Sequence, residues 1–292
     1  MHLPGGGNMM LEDVQDRSDD RQLPIGEVGI SGLRYPITVW DRENGSQATV
    51  AEVSMSVDLR ADVKGAHLSR FVEVLEDSAV TLSPQAMPVI LGNLQQRLAA
   101  RRAEFSADFP YFMRRSAPVT GATARMAYQC HLSGRSYGGR TVTTVGVRVP
   151  VTSVCPCSKA ISDYGAHNQR GYITLRVRLR DEGDGPVAVW AEDLIEIAEA
   201  SASSPVFPLL KRPDERYVTM QAHDHPVFVE DIVRTAAGAL SDDERMTWFS
   251  VEAVNDESIH NHAAFALIDS AQLPLRDQDD PAVLWTAEVS GV

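Results

Sequence analysis

Ile173-Thr174-Leu175-Arg176-Val177-Arg178-Leu179-Arg180 alternates four aliphatic side chains with one threonine and three arginines, without a break. Successive side chains of a strand point to opposite faces, so the stretch predicts a β-strand with one dry face and one wet face. Working outward, the same period recurs at Val53, Met55, Val57 and Leu59, at Met126, Tyr128, Cys130 and Leu132, and at Val145, Val147, Val149 and Val151. Helical spacing separates these runs. Ile90, Leu91, Leu94 and Leu98 share one face, as do Val229, Ile232, Val233, Ala236 and Leu240. The second of these helices is expected to open just after Pro226, since proline suits a first turn.

The order of strand pair, helices and strand pair occurs twice, from about Ile37 to Leu132 and from about Thr141 to Asp269. It predicts an α+β chain whose antiparallel sheets carry helices on one face. The expected organisation is a mobile leader over residues 1–24, a first module over 25–140, a second over 141–271 and a C-terminal tail over 272–292 with its DQDDP cluster.

The chain has 292 residues, 27 Lys and Arg against 40 Asp and Glu, and a formal charge of −13. That length suffices for one large core or two ordinary domains. The acidic balance argues against a nucleic-acid partner, because phosphate backbones are held by clustered Lys and Arg, yet it leaves room for a small anion in a local basic pocket. No apolar run approaches the roughly eighteen residues of a membrane helix, and the amino terminus lacks a basic-then-apolar signal. No membrane partner and a cytoplasmic location are therefore expected. Three cysteines (Cys130, Cys155 and Cys157) are too few for a disulfide framework and suit a reducing compartment.

The densest polar stretch is Val151 to Arg170, VTSVCPCSKAISDYGAHNQR, where a strand ends and a glycine-containing connection begins. Cys155 and His167 are a thiolate and an imidazole that one loop can bring to a single metal. The paired motifs of a structural zinc site are missing, and a Cys155–Cys157 disulfide would close a strained ring. A catalytic metal site and a metal-free reactive thiol both stay open. In Lys211-Arg-Pro-Asp-Glu215-Arg216 the acidic pair can be a solvated turn, and Glu230 suits the first turn of its helix electrostatically whether or not it binds anything. Asn255-Asp-Glu257-Ser-Ile-His260-Asn-His262 lies between two apolar runs, where a polar turn joining two strands explains most of it; two histidines at this spacing in a strand would share a face, as a metal pair or as surface residues. Lys64, His67 and Arg70 form a basic group, as do Lys159 with Arg170 and Lys211 with Arg212. Most such charges are solvated, but several converging make a pocket for a triphosphate.

Together these runs resemble the signature of GTP cyclohydrolase type IB. The resemblance is carried by Pro150 to Arg170, by Leu210-Lys-Arg-Pro-Asp-Glu215-Arg-Tyr-Val-Thr with Pro226-Val-Phe-Val-Glu230-Asp, and by Glu257-Ser-Ile-His260-Asn-His262; Lys64-Gly-Ala-His67-Leu-Ser-Arg70-Phe fits its amino-terminal half. It implies two tandem tunnelling-fold modules, a homotetramer with sites at subunit interfaces, and hydrolysis of GTP by water to 7,8-dihydroneopterin triphosphate and formate, a first step toward folate or modified nucleosides. It also implies that Cys155, His167, Glu215 and His260 hold a divalent metal (zinc, manganese or iron(II)) and that Cys155, His167, His260 and His262 form the catalytic set. Glu230 would anchor the guanine, and Lys64, His67, Arg70, Lys159 and Arg216 would bind the rest of the substrate.

The chemistry accounts for these residue types. Guanine C8 is a poor electrophile, so hydroxide is needed near neutral pH, and a divalent metal supplies it by lowering the pKa of bound water. Histidine is apt for the proton transfers that follow. Glu230 can accept from guanine N1–H and the 2-amino group, a two-point contact unavailable to adenine. Two other readings stay open: a relative that makes a cyclic-phosphate pterin with iron(II), and a non-catalytic purine- or pterin-binding protein of the same fold. A nitrile reductase of this fold is disfavoured, since no nicotinamide phosphate fingerprint is present.

Overall fold

The computed structural model describes residue 15 and residues 17–77, 81–183 and 185–273. Most of the expected leader and nearly all of the expected tail lie outside them. The first half runs β1 (Ile25–Asp41), β2 (Gly45–Leu59), α1 (Ser69–Asp77), α2 (Met87–Leu98), β3 (Arg102–Ser116) and β4 (Thr123–Tyr137). The second runs β5 (Arg140–Val154), α3 (Pro156–Ile161), β6 (Asn168–Leu179), α4 (Ala191–Ala200), β7 (Ser204–Pro205), α5 (Arg212–Asp224), α6 (Val229–Ser241), β8 (Met246–Asp256) and β9 (Ala263–Asp269).

All strands join one antiparallel sheet in the order β1-β2-β3-β4-β5-β6-β8-β9, with β7 paired to β5. The alternation that predicts the strands decides which face is covered. Ile173, Leu175 and Val177 of β6 are fully buried, as is Val53 of β2, and Val149 and Val151 of β5. Against that face lie Leu91 and Leu94 of α2, Leu194 and Ile195 of α4, and Ile232 and Ala236 of α6. Each fully buried aliphatic side chain contributes about 1.5–3 kcal/mol, so the continuous apolar layer is the main source of stability. The other face carries Arg148, which lies over the Tyr172 ring at 3.9 Å, and Arg178, over Trp248 at 4.4 Å.

The two halves are sewn together by buried polar groups on α4. Glu192 accepts from the Tyr111 hydroxyl at 2.5 Å and from the Arg42 backbone N–H at 2.9 Å. Glu199 accepts from the Tyr128 hydroxyl at 2.7 Å and pairs with Arg115. Burial pushes the Glu199 carboxyl above the usual carboxylate range, against the opposing pull of Arg115.

One helix start differs from the sequence expectation. α6 begins at Val229, and Pro226 lies outside it. The reason is that Val227 is still tied to β5, its N–H donating to the Val154 carbonyl at 3.1 Å, so the chain turns helical only afterwards. Phe228 then caps the helix, its N–H donating to Asp231 at 3.2 Å.

Candidate functional site

At one end of the sheet β5 stops at Val154, β6 starts at Asn168 and β8 stops at Asp256. The connection from β5 to β6 folds back on itself. Cys155 caps α3, taking the Ser158 N–H on its Sγ at 3.5 Å, with Pro156 in the first helical position. His167 closes the loop: the Cys155 N–H donates to its carbonyl at 3.1 Å, and its own N–H donates to Ser158 Oγ at 3.1 Å. Cys155 and His167 are thus neighbours across a closed loop, both half-buried, while Cys157 is exposed and Cys130 lies in the core. Burial raises the Cys130 thiol well above its ordinary value, which suits an inert core residue.

Behind His167 lies a polar cluster set into the apolar face. His167 Nδ1 is 3.0 Å from Gln169 Oε1 and 3.8 Å from Glu257 Oε2. Gln169 Nε2 donates to Ser153 Oγ at 3.4 Å, Asn255 Nδ2 donates to the same oxygen at 3.2 Å, and Ser153 donates to the Val227 carbonyl at 3.3 Å. Sequence reasoning passed over Ser153, Gln169 and Asn255 as functional residues, and gave Glu257 no role. A signal existed: Ser153 continues the inward phase of Val149 and Val151, Gln169 that of Ile173, and Asn255 that of Val251 and Ala253. A polar residue in a buried phase needs a hydrogen-bond partner, and three such residues lie in register at one sheet end.

The other predicted residues arrive from separate elements. Glu230, on the first turn of α6, is exposed two residues beyond Phe228. His260 and His262 sit in the loop between β8 and β9, not on a strand, because β8 ends at Asp256 and β9 resumes at Ala263. They are exposed, with rings stacked at 5.0 Å between centroids and 15° between planes. The same loop begins with Glu257, so it stands beside His167.

α5 crosses this end. Its Asp214 is fully buried and accepts from the N–H groups of Val119 and Thr120 at 2.9 and 2.8 Å, from the Thr120 hydroxyl at 2.7 Å and from the Lys211 N–H at 2.9 Å. Burial alone would raise its pKa, but the bonds from Thr120, Lys211 and Val119 outweigh it and hold the carboxyl below the usual range. The adjacent Glu215 and Arg216 are exposed. At the far end of α5, Lys159 of α3 donates its ammonium to the His223 carbonyl. Eight helical steps, about 12 Å at 1.5 Å each, separate Glu215 from His223.

Among the described residues, no three His, Cys, Asp or Glu side chains are gathered where they could hold a metal ion. Cys155 is joined to His167 through the backbone and Glu257 lies beside His167, and neither Glu215 nor His260 forms a donor cluster with them. Lys64, His67 and Arg70 lie at the opposite end of the sheet, after β2, where the Arg70 guanidinium donates to the Arg97 carbonyl at 3.2 Å. Strands of 15 residues such as β5 put about 50 Å between the two ends. None of the described helices is long and apolar enough to cross a membrane.

A family model described as GCHY-1: Type I GTP cyclohydrolase folE2 matches residues 11–266. The GTP cyclohydrolase FolE2 of Magnetococcus marinus is 48% identical over 262 residues, covering 90% of this chain and 97% of that protein. The FolE2 of Methylococcus capsulatus is 48% identical over 261 residues, covering 89% and 95%. In backbone, the chain is similar to the uricase from Arthrobacter globiformis, with a TM-score of 0.52 at 9% identity over 89% of this chain and 97% of that one. That likeness is one of fold, the tunnelling fold of antiparallel sheet and one-sided helices.

Proposed function

The chain belongs to the type I GTP cyclohydrolase folE2 family, and from that premise we propose that it hydrolyses GTP to 7,8-dihydroneopterin triphosphate and formate, in folate biosynthesis. The observation that carries the reading is that three family motifs lie at one sheet end: Cys155 is hydrogen-bonded to His167, Glu257 lies beside His167, and Val227, three residues before Glu230, is hydrogen-bonded to Val154 and Ser153. Glu230 accepts from the guanine N1–H and 2-amino group, and its exposure on a first turn leaves both oxygens free for a ligand. His262 lies in the loop that opens with Glu257 and serves as a proton donor to the purine ring.

Cys155, His167, Glu215 and His260 form the proposed metal set; Cys155 and His167 are adjacent in this structure, and Glu215 and His260 would have to join them on binding. The donor chemistry fits a divalent ion: thiolate and imidazole suit zinc or iron(II), and the carboxylate admits manganese. Support comes from the backbone pairing of Cys155 with His167, which places the two softest donors side by side in a half-buried loop. When bound, the ion would lower the pKa of a water molecule and so supply hydroxide near neutral pH.

The proposal includes a homotetramer acting in the cytoplasm, with each site shared between copies. Lys64, His67 and Arg70 cannot reach GTP at Cys155 of their own chain across about 50 Å of sheet. A neighbouring copy set beside this one would bring them. Edge strand β9 exposes Phe265 and Leu267, and edge strand β1 exposes Ile25, apolar groups suited to such contacts. Lys159 and Arg216 complete the group proposed to hold the substrate.

The test is incubation of the protein with GTP and zinc, manganese or iron(II), followed by assay of formate and, after oxidation, of fluorescent neopterin. Formate with neopterin triphosphate is the expected result; absence of both with all three metals would refute the activity. Glu230→Gln is expected to raise KM for GTP and leave metal content unchanged.

A further inference from the structure

We propose that Gln169 is a positioning residue that sets the tautomer of His167, keeping hydrogen on Nδ1 so that Nε2 offers its lone pair to the metal. This rests on the reading of His167 as a ligand. The hydrogen-bond directions run from the far end of the cluster, where Ser153 donates to the Val227 carbonyl. The Val227 carbonyl can only accept, so Ser153 gives it its single hydroxyl hydrogen at 3.3 Å. Ser153 Oγ must then accept from both amides that face it, Asn255 Nδ2 at 3.2 Å and Gln169 Nε2 at 3.4 Å. A Gln169 amide turned the other way would set its oxygen against a hydroxyl oxygen whose hydrogen is already committed. Oε1 is left facing His167 Nδ1 at 3.0 Å, where an oxygen requires a hydrogen on the ring nitrogen.

Glu257 Oε2, at 3.8 Å from the same Nδ1, adds a negative charge that favours hydrogen there. A neutral imidazole carries one N–H, so Nε2 is the lone-pair nitrogen. Histidine ligands commonly donate their second N–H to an oxygen in this way, and loss of that partner costs about 10–100-fold in metal affinity.

Burial closes off alternatives. Ser153 is 0%, Asn255 3% and Gln169 7% exposed, so bulk water does not replace a lost partner. Gly171 makes the space: a Cβ on it would fall 2.4 Å from Asn255 Oδ1. The cluster also reaches Val227, three residues before Glu230, so the metal-side histidine and the approach to the guanine anchor share one scaffold.

The experiment titrates the metal-free full chain with zinc against a competing chelator, and with cobalt(II) read by its thiolate absorption, with thermal melting as a control on folding. Gln169→Met keeps length and burial but has no acceptor oxygen, and about 10–100-fold weaker binding is expected. Gln169→Glu keeps an oxygen facing Nδ1, its second oxygen taking the Ser153 hydroxyl hydrogen in place of the Val227 carbonyl, and is expected to bind close to wild type. Wild-type affinity in Gln169→Met, with binding lost in His167→Ala, would overturn the positioning role and leave His167 a ligand. Undiminished binding in His167→Ala would overturn the ligand reading and this inference with it. If Gln169→Met fails to fold, nitrogen-15 NMR of His167 in the metal-free wild type decides: a protonated Nδ1 supports the assignment, and a protonated Nε2 overturns it.

Discussion

Between β1 and β2 the first half turns tightly through Arg42-Glu43-Asn44, whereas between β5 and β6 the second half takes the whole run from Cys155 to His167. The short turn is closed by Asp41, which accepts from the N–H groups of Glu43 and Asn44 at 2.9 and 2.8 Å. The long one builds α3 and pairs Cys155 with His167. A second contrast lies at the same sheet end, where the step from α4 to α6 contains β7 and α5. The two extra segments hold each other through Lys159 and the His223 carbonyl, and β5 meets the approach to α6 at Val227. The halves share a frame of paired strands and helices, and the candidate chemistry lies in what the second half adds at one end of that frame. Connections can carry it because they are free of the burial that dictates the strand residues.

The harshest trial of this contrast compares the two connections directly. Cys155→Ala is expected to cut formate release to below about a thousandth of wild type, as removal of one member of a catalytic unit does. Asn44→Ala in the short turn is expected to leave turnover near wild type; comparable losses would erase the distinction. The contrast between the two sheet ends is sharpened by co-expression of Cys155→Ala with Arg70→Ala. Each variant alone is expected to be inactive, and mixed oligomers are expected to regain activity, because some sites would then draw an intact Cys155 and an intact Arg70 from different copies. No recovery in mixed oligomers would count against the shared site.

Smaller effects probe the seam between the halves. Arg115→Met leaves Glu199 buried without its cation and is expected to destabilise the fold by about 3 kcal/mol in urea unfolding at pH 8. The sign of its pH dependence follows from burial. Glu199 has a raised pKa in the folded state, so the folded chain holds that proton more tightly, and stability from this group falls as pH rises from the ordinary value through the raised one. Without Arg115 the raise grows, so the deficit is expected to be smaller at pH 5 than at pH 8. Gly171→Ala is expected to cost about 1–3 kcal/mol by forcing Asn255 aside, with weaker metal binding as a companion effect.

The mildest change concerns Asp214, where the sign reverses. Its pKa is lowered in the fold, so its contribution is present above the ordinary value of 3.8 and is lost as pH falls below it toward the lowered one. Asp214→Asn is expected to speed hydrogen exchange in α5 at pH 7 while leaving α6 unchanged, and the difference from wild type is expected to shrink as pH falls below about 4.

Much of the fold was legible in the sequence, because a two-residue period cannot be satisfied except by a sheet with one buried face. Ile173, Leu175 and Val177, read as inward from alternation alone, are fully buried. The start of α6 was less legible, since Pro226 suits a first turn locally while the bond from Val227 to Val154 of β5 overrides that preference. The polar turn that carries His260 and His262 was legible from its place between two apolar runs, and β8 ends before it while β9 starts after it. The pairing of Cys155 with His167 was legible as one motif. Its support by Gln169, Ser153 and Asn255 was not, because those residues come from three strands and meet only through sheet register.

By itself, then, the sequence determined the strand faces, the helix faces and the family, since each depends on residues close in the chain or on an ordered set of motifs. Tertiary structure decided which groups share a sheet end. It joined Glu257 to His167, set Glu215 about 12 Å of helix away from His223, and sent Lys64, His67 and Arg70 to the far end of the strands. Those placements depend on strand direction and register, which pair residues distant in sequence and which no local pattern encodes.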